Sequence, residues 1–295
     1  MNRWVLVFVV VALLFGADAR AVEPGPVGKP SGSYNEQLWW VPMEQPRGRG
    51  VVHLETTVYR PDGSGPFPMI LLNHGSPGDA ADRRKNPRSR FYEQSRWFVG
   101  LGYAVVIPMR RGYANSEGEW AEGYKTCADP DYVNAGFTTA NDMGAVLKYF
   151  RAQPFIQRDR IVVVGQSAGG FGSLALASRN PEGVIGIVNF AGGRGGINPG
   201  TAEPVCKSDR LVEAVTRYGK TARLPAIWLY AQNDLLFRPE LAGQMLSAYR
   251  SGGAPAEFVA MPTFGRNGHE TFASWSANAN WTGHVKQFLA GLPLR

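Results

Sequence analysis

The sequence has few of the residues that most often bind metals or cross-link domains, with four histidines and two cysteines among 295 residues. No group of His, Cys and Asp residues has the spacing of metal ligands, so we expect neither a metal nor another cofactor. Long basic runs are also missing, because the 31 Lys and Arg residues are scattered and form one dense cluster, at 83–90. With a net charge of +7, a solvated basic surface is favoured over nucleic-acid binding.

The proportions of the remaining residues are those of an ordinary globular protein. Hydrophobic residues make up 44% of the chain and charged residues 19%. This composition is sufficient for a sizeable core and argues against disorder. The length suits one large domain or two small ones. Because there is neither an internal repeat nor a clear boundary, we expect one folded domain.

Only the N-terminus carries a long hydrophobic run. Arg3 is followed by a continuous apolar stretch at 4–15 and then by Ala17-Asp18-Ala19, an A-x-A cleavage signal. This order predicts a secretory signal peptide over residues 1–19, and therefore a periplasmic or secreted protein. The run is too short to favour a permanent membrane span. No cysteine directly follows the cleavage signal, so a lipid anchor is not indicated there.

The two cysteines gain meaning from the predicted export. In an oxidising compartment, two thiols within one domain usually pair. We therefore expect a disulfide between Cys127 and Cys206. Their separation along the chain permits this bond but does not by itself establish it.

The order of strand and helix patterns predicts an α/β domain. Residues 20–50 are rich in Pro and Gly and are expected to form an extended N-terminal lead-in, before a folded domain at 51–295. Alternating apolar and polar residues predict a half-exposed strand at 51–60. Short apolar runs predict further strands at 68–73, 103–109, 161–164, 184–190, 226–230 and 256–261. Helical patterns occur at 90–101, 138–152, 171–178, 208–218, 239–251 and 281–289. This alternation favours a mostly parallel sheet with helices on both faces.

One short stretch offers a nucleophile. Residues 165–169 read Gly-Gln-Ser-Ala-Gly and lie between the buried strand at 161–164 and the helix expected at 171–178. Small residues on both sides permit a turn sharp enough to expose the hydroxyl of Ser167. The helix that follows offers free N–H groups to a developing oxyanion. Without partners elsewhere, the same stretch could be a Gly-rich loop that only packs a helix on a strand.

A serine needs a base, and the four histidines limit the choice. His53 lies in an early strand, His284 in the terminal helix, and His74 at the end of a strand next to a glycine. His269 occupies a loop directly after the last predicted strand. Loops at the carboxyl ends of parallel strands are where ligands and catalytic groups concentrate. We therefore predict His269 as the base.

The acid that orients this base should also follow a strand. Asp234 comes after the strand at 226–230, with a short loop between them. Asp209 and Glu240 are the alternatives, but both lie in or next to predicted helices. Asp234 is the predicted third member of the triad.

Acyl transfer also requires hydrogen-bond donors to the tetrahedral oxyanion. One donor should be the backbone N–H of Ala168, at the start of the helix after the nucleophile. The second should come from the loop after the strand at 68–73, where the backbone N–H of Ser76 is the best candidate. The next residue, Pro77, has no N–H to offer.

These motifs together resemble the α/β-hydrolase superfamily. The resemblance is carried by Asn-His-Gly-Ser-Pro-Gly at 73–78, by the stretch at 165–169, and by Asp234 and His269 in the chain order nucleophile, acid, base. The segment at 110–118, which contains Arg-Gly and a later Ser-x-Gly, is similar to the dienelactone hydrolase-like and prolyl oligopeptidase-like branch. The resemblance implies an α/β-hydrolase fold with a small loop lid. It covers roughly residues 50–290.

Dienelactone hydrolases proper differ from this chain at the nucleophile, because they use a cysteine where this sequence has Ser167. The loop at 112–136 is expected to overhang the site, with Tyr113, Trp120 and Tyr124 as pocket residues. Such aromatic walls favour an apolar or aromatic ester.

A second loop, at 191–206, is expected beside the first. Its Arg194 could hold a substrate carboxylate or face water. As a hypothesis, the Cys127–Cys206 bond joins the two loops into a lid.

The sequence therefore predicts an exported serine hydrolase that acts on a small or medium carboxylic ester. A serine peptidase of prolyl oligopeptidase-like type is an alternative within catalysis. A non-catalytic binding protein on a hydrolase fold is an alternative from another class. We expect no nucleic-acid partner and no stable membrane span after signal cleavage, and the sequence does not indicate an oligomeric state.

Overall fold

The computed structural model describes residues 22–77, 79–197 and 200–293, so the predicted signal peptide at 1–19 lies outside it. The described residues form a nine-stranded sheet. Its strands are β1 (Gly25–Ser31), β2 (Glu36–Glu44), β3 (Val51–Tyr59), β4 (Phe67–Asn73), β5 (Ala104–Pro108), β6 (Ile156–Gln166), β7 (Val184–Phe190), β8 (Ala226–Ala231) and β9 (Ala256–Met261).

Six of these strands run parallel. The order across the sheet is β1-β2-β3-β5-β4-β6-β7-β8-β9, and all neighbours from β5 to β9 pair in parallel. The first three strands are antiparallel additions at one side. The carboxyl ends of β4, β6, β7 and β8 consequently meet at one edge, where ligands bind in open α/β sheets. The predicted α/β-hydrolase architecture, with a mostly parallel sheet, is confirmed.

Helices cover both faces of the sheet. The helices are α1 (Asp82–Lys85), α2 (Tyr92–Gly100), α3 (Tyr132–Arg151), α4 (Ala168–Ala177), α5 (Ser208–Gly219), α6 (Pro239–Ser251) and α7 (Thr282–Gly291). Short 3-10 turns occur at Pro46–Gly48, Gly268–Glu270 and Trp275–Asn280. Helices α3 to α6 contribute to the core on one face, and α2 and α7 to the core on the other. Among the described residues, no helix combines the length and hydrophobicity that crossing a membrane requires.

The central strands contain continuous apolar runs because both of their faces are covered. In β4, Met69 and Leu71 belong to one core, whereas Ile70 and Leu72 belong to the other, and all four are fully buried. Strands buried on both faces read as continuous hydrophobic runs, and this is the pattern that identified β4 and β6 from sequence.

Residues 25–44, which were expected to be part of an extended lead-in, form two strands that enlarge the sheet. In β2, alternate residues are buried, and Trp39 packs against Phe150 and Phe155 with ring centroids 5.4 and 5.8 Å apart. The period of two was present in the sequence, but the surrounding Pro and Gly residues concealed it.

Helix α3 begins at Tyr132, six residues before the start expected from sequence. The Asp131 side chain caps it by accepting a hydrogen bond from the Asn134 N–H at 3.1 Å. The loop expected from sequence extended to Gly136, but this glycine lies within the helix, where close packing requires it. A Cβ atom at Gly136 would lie 2.1 Å from the Tyr218 hydroxyl oxygen.

The two cysteines are joined, as expected. The Cys127–Cys206 disulfide links the loop before α3 to the loop after β7, with Cα atoms 5.0 Å apart. The Tyr132 hydroxyl at the start of α3 also donates a hydrogen bond to the Cys206 carbonyl. The loop after β7 is thus attached at two points, once to the loop before α3 and once to the first residue of α3.

Candidate active site

Ser167 lies in the sharp turn between β6 and α4. Its backbone has φ +54° and ψ −121°, and its N–H donates to the Phe190 carbonyl at 3.0 Å. Such a positive φ is strained for a residue with a side chain, and it is characteristic of a nucleophile elbow. Only glycine fits on either side of the turn. A Cβ atom at Gly165 would lie 2.4 Å from the Gly169 carbonyl oxygen, and one at Gly169 would lie 2.3 Å from the Asn73 carbonyl oxygen.

His269 and Asp234 form a buried pair at the carboxyl ends of β9 and β8. His269 Nδ1 lies 3.0 Å from Asp234 Oδ2, and the two residues are 7% and 1% exposed. Since a carboxylate accepts, Nδ1 carries the proton and Nε2 keeps a free lone pair. The other oxygen, Asp234 Oδ1, accepts from the N–H groups of Leu236 and Phe237 at 2.8 and 2.9 Å. The carboxylate is therefore fixed before any substrate binds.

Two asparagines that were not predicted from sequence hold these loops together. Asn267 Oδ1 accepts from the N–H groups of Leu235 and His269, at 3.0 and 3.1 Å, and so joins the acid loop to the base loop. Asn233 Oδ1 accepts from the Phe264 N–H at 2.9 Å. Asn side chains commonly bridge loop backbones in this way, but the sequence does not reveal the partner.

Ser167 and His269 line one cavity of about 310 Å³. The structure contains no hydrogen bond between these two side chains. Hydrogen bonds between a nucleophile and its base are often long in unliganded sites and shorten when substrate binds. Two of the three predicted catalytic residues therefore line the same cavity, and the third, Asp234, is buried and hydrogen-bonded to His269.

Two backbone N–H groups border the serine, and neither donates to another described residue. One belongs to Ala168, the first residue of α4, where the helix dipole is positive. The other belongs to Ser76, in the loop after β4. The loop passes close to the serine, since a Cβ atom at Gly75 would lie 3.2 Å from Ser167 Cβ. These are the two donors expected from sequence.

His74 is buried beside this loop and is neutral. Its Nδ1 lies 2.6 Å from the Gly75 carbonyl oxygen and donates to it, because a carbonyl can only accept. Burial, reinforced by the positive charge of Arg110, lowers the pKa of His74 from 6.5 to about 3. A ring committed in this way cannot serve as the general base, in agreement with the choice of His269.

Only one of the four expected pocket residues lines the cavity. Tyr113 is in its wall and donates from its hydroxyl to Ser76 Oγ at 2.8 Å. Trp120 lies behind it and donates from its indole N–H to the Tyr113 hydroxyl at 3.2 Å. Tyr124 instead packs against Tyr132, with centroids 5.3 Å apart. Trp120 therefore supports the wall from behind, and neither Trp120 nor Tyr124 is among the residues that line it.

Arg194 neither faces water nor reaches the cavity, contrary to both options left open by the sequence. It is 5% exposed, and its Nη2 lies 2.5 Å from Glu122 Oε2. Arg110, which is completely buried, binds the same carboxylate through Nε at 2.6 Å. A buried guanidinium requires such a partner, because an unpaired buried charge is strongly unfavourable.

The expected lid is also located elsewhere. Cys127 and Cys206 line a different cavity, and none of the described residues of the loop at 191–206 is among those that line the wall around Ser167. A segment that the sequence analysis assigned to a solvated basic surface takes its place, namely residues 82–91 with the short helix α1. The cavity residues from this segment are Asp82, Arg83, Asn86, Pro87, Ser89 and Phe91. Within the described part of the chain, no cluster of three or more His, Cys, Asp or Glu residues could hold a metal ion.

Comparison with known proteins identifies a family and a set of similar folds. The family model of X-Pro dipeptidyl-peptidases (S15 family) matches residues 49–246, more than half of the chain. The acylaminoacyl peptidase of Pyrococcus horikoshii matches with a TM-score of 0.62 and 14% identity, over 88% of this chain and 42% of that one. An esterase of Pyrococcus furiosus matches with a TM-score of 0.60 and 15% identity, over 92% of this chain and 99% of that one.

A third similar structure, from Klebsiella pneumoniae, is described as a dienelactone hydrolase. It matches with a TM-score of 0.50 and 15% identity, over 86% of this chain and 99% of that one. Likenesses at this level of identity concern the fold. Together with the family match, they confirm the predicted resemblance to the prolyl oligopeptidase-like and dienelactone hydrolase-like branch. The chain spans less than half the length of the acylaminoacyl peptidase.

Proposed function

This chain belongs to the X-Pro dipeptidyl-peptidase (S15) family, and we propose that it is an exported serine hydrolase that cleaves carboxylic esters. Ser167 is the nucleophile, His269 the general base, and Asp234 the group that orients the base. One observation carries this proposal. Ser167 and His269, which are far apart in sequence, line one cavity, and the hydrogen bond from His269 Nδ1 to the buried Asp234 leaves Nε2 free to accept a proton.

The proposed reaction follows the usual two steps of acyl transfer. His269 Nε2 takes the proton from Ser167 Oγ while this oxygen attacks the ester carbonyl. The N–H groups of Ala168 and Ser76 donate to the oxyanion that forms. The intermediate then releases the alcohol, which receives the proton from His269. Water, activated by the same imidazole, hydrolyses the acyl-enzyme and restores Ser167.

An ester is favoured over a peptide because of the size and form of the site. The cavity of about 310 Å³ lies at the lower end of the range for small-molecule sites, which suits a small or medium ester. The chain also matches nearly the whole length of the Pyrococcus furiosus esterase. An alcohol leaves more easily than an amine, so ester cleavage depends less on binding energy from distant parts of the substrate.

A serine peptidase remains the second candidate, because one feature of the cavity favours it. Asp82 and Glu270 place carboxylates in the wall, where the ammonium group of a peptide N-terminus could pair with them. The matching family is also named for a dipeptidyl-peptidase. Amides of X-Pro dipeptides are therefore the substrates with which esters must be compared.

A fluorophosphonate probe tests the proposal directly. The mature protein should be labelled, and Ser167→Ala should abolish labelling and reduce ester hydrolysis by about 10⁴-fold or more. Ser251→Ala is the matched control, since the Ser251 hydroxyl is exposed and donates only within its own helix, to Ala248 at 2.8 Å. Absence of labelling in the wild-type protein would favour a non-catalytic binding protein.

A substrate panel separates the two catalytic candidates. We expect p-nitrophenyl esters of short and medium acids to give higher kcat/KM values than X-Pro p-nitroanilides. The opposite ranking would favour the peptidase. The same preparation tests export, because protein recovered outside the cytoplasm should begin at Arg20, and protein that remains inside with Met1 intact would contradict it.

A further inference from the structure

Three charged side chains form a buried cluster behind the loop that follows β4. We call Arg110, Glu122 and Arg194 the Arg–Glu–Arg cluster. Glu122 Oε1 lies 2.6 Å from Arg110 Nε, and Glu122 Oε2 lies 3.3 Å from Arg110 Nη2 and 2.5 Å from Arg194 Nη2. Thr139 Oγ1 lies 3.4 Å from the same oxygen. Every member is at most 5% exposed.

The cluster carries more positive than negative charge. Burial alone would raise the pKa of Glu122, but the guanidinium groups of Arg110 and Arg194 outweigh burial and lower this pKa to about 2. The carboxylate is therefore ionised at neutral pH, and two guanidinium groups share it. One positive charge is left unbalanced within the cluster. In a buried environment such a charge acts strongly on a developing negative charge nearby.

Arg110 connects the cluster to the oxyanion loop. Its Nη1 donates to the His74 carbonyl oxygen at 2.8 Å, while its backbone N–H faces His74 Nε2 at 3.5 Å. Two atoms of one arginine thus hold both the main chain and the ring of His74. The imidazole cannot rotate without losing one of these contacts.

His74 in turn fixes the next peptide group. Its Nδ1–H donates to the Gly75 carbonyl oxygen at 2.6 Å. The Gly75 carbonyl and the Ser76 N–H belong to one planar trans peptide, so they point in opposite directions. Holding the carbonyl against His74 therefore directs the Ser76 N–H away from that ring. The loop cannot turn this donor without breaking the hydrogen bond to His74.

We propose that the Arg–Glu–Arg cluster positions the second oxyanion donor, acting through His74 on the Ser76 N–H. This inference rests on the proposed function, because it assigns a role within the same reaction. The cluster does not touch substrate, so its members are positioning residues. Their contribution should appear in the stabilisation of the tetrahedral intermediate and not in the binding of the substrate ground state.

The neighbouring residue provides a matched control. Arg111 is also buried and also paired with an acid, since its Nη2 lies 2.7 Å and its Nε 2.9 Å from Asp142 Oδ1. Its backbone N–H donates to Asp142 Oδ2 at 2.8 Å. This pair makes no hydrogen bond to the loop at 74–76. Replacing Arg111 removes a buried guanidinium from an acid but leaves the two contacts between Arg110 and His74 in place.

The experiment compares Arg110→Gln with Arg111→Gln. Measurements are the denaturant midpoint, kcat and KM for a p-nitrophenyl ester, and the Ki of a trifluoromethyl ketone, whose adduct with the serine carries an oxyanion. Loss of one oxyanion donor typically costs 10²- to 10³-fold in kcat, and a displaced donor retains part of its effect. We expect Arg110→Gln to lower kcat and weaken the inhibitor by about 10- to 100-fold, with KM within about threefold.

Two results would overturn the inference. One is a kcat for Arg110→Gln no lower than that of Arg111→Gln at equal stability, and the other is an unchanged Ki. Should Arg110→Gln fail to fold, Arg194→Gln takes its place, because the balanced Arg110–Glu122 pair remains. It should lower kcat about threefold to tenfold without raising KM, and no change would contradict the proposal. Failure of the proposed function would be distinguished from failure of this inference, because the wild-type protein itself would then hydrolyse no ester.

Discussion

The cavity around Ser167 has two walls of different construction. The inner wall includes His74, Gly75, Ser76, Met109, Tyr113, Gln166 and Ser167, and the outer wall consists of Asp82, Arg83, Asn86, Pro87, Ser89 and Phe91. Pro77, His269, Glu270 and Ala273 complete the lining. Inner-wall side chains such as His74 and Tyr113 are buried and come from strand ends and the loops directly after them. All residues of the outer wall are half-buried or exposed, and the only helix among them is the four-residue α1.

The outer wall is attached to the rest of the protein through a few hydrogen bonds. Arg84 donates to the carbonyls of Ser116 and Gly118, the latter at 2.7 Å, and the Arg83 carbonyl accepts from the Ala114 N–H at 2.8 Å. By contrast, the inner wall is held by packed backbone and by buried charge. Changes to the inner wall should therefore affect stability or the chemical step. Changes to the outer wall should mainly affect which substrate is preferred.

The largest effect should come from closing the space at the elbow. A Cβ atom at Gly169 would lie 2.3 Å from the Asn73 carbonyl oxygen and 2.6 Å from that of His74, and neither strand end can move away. We expect Gly169→Ala to destabilise the protein by about 3 kcal/mol or more, or to prevent folding, as overpacked core sites do. Urea denaturation measures this change.

Gly243→Ala is the control for that substitution. Gly243 is exposed on α6, and a Cβ atom there would meet nothing within 4 Å. Alanine should raise the free energy of unfolding by up to about 1 kcal/mol, because it is the better helix former. If the two substitutions changed the free energy of unfolding equally, the elbow would accommodate a methyl group as readily as an exposed helix does. The contrast between the two walls would then not hold.

The sequence predicted those parts of the inner wall that follow from strand periodicity. Apolar runs located β4, β6 and β8, and parallel strands bring their carboxyl ends to one edge. That rule predicts that Ser76, Ser167 and Asp234 lie near one another. His269 could be selected because the chain has only four histidines.

The rest could not be predicted, for identifiable physical reasons. Glu122 pairs with Arg110 and Arg194, which lie 12 and 72 positions away, and no periodicity links the three. The aromatic residues Trp120 and Tyr124 suggested a pocket wall, yet Trp120 lies behind Tyr113 and Tyr124 packs against Tyr132. Segment 82–91 read as a basic surface because its charges dominate its composition, and only the tertiary fold brings it to the cavity.

An intermediate effect should come from the protonation of His74. Its pKa is about 3 in the folded protein and about 6.5 in the unfolded chain, so only the unfolded chain binds a proton between these values. Its contribution to stability is complete above pH 6.5 and is lost as the pH falls toward 3. The free energy of unfolding should drop by about 1.4 kcal/mol per pH unit below pH 6.

The variant His74→Gln tests this assignment, because the amide can still donate to the Gly75 carbonyl but does not titrate. Denaturation should be measured for both proteins at pH 7, 6 and 5. Glu122 and the other carboxylates with lowered pKa values add their own loss only below about pH 4.5. The wild-type protein should lose about 2 kcal/mol more than the variant between pH 7 and 5. Parallel pH profiles would show that His74 does not resist protonation.

The smallest effect on stability should come from Arg83 in the outer wall. Its guanidinium lies over the Trp120 ring, 3.5 Å from the centroid, and has no acidic partner among the described residues. Arg83→Gln should cost less than about 1 kcal/mol in urea denaturation, which is the range of an exposed cation–π contact. Because this residue lines the cavity, kcat/KM should fall about threefold to tenfold for an ester that carries a carboxylate, while a neutral ester of equal size is unaffected.

Lys85→Gln removes the same charge two residues away, outside the cavity wall, and should change neither value. If Arg83→Gln unfolds the protein as strongly as Gly169→Ala, the outer wall is as structural as the inner one and the distinction between them does not hold.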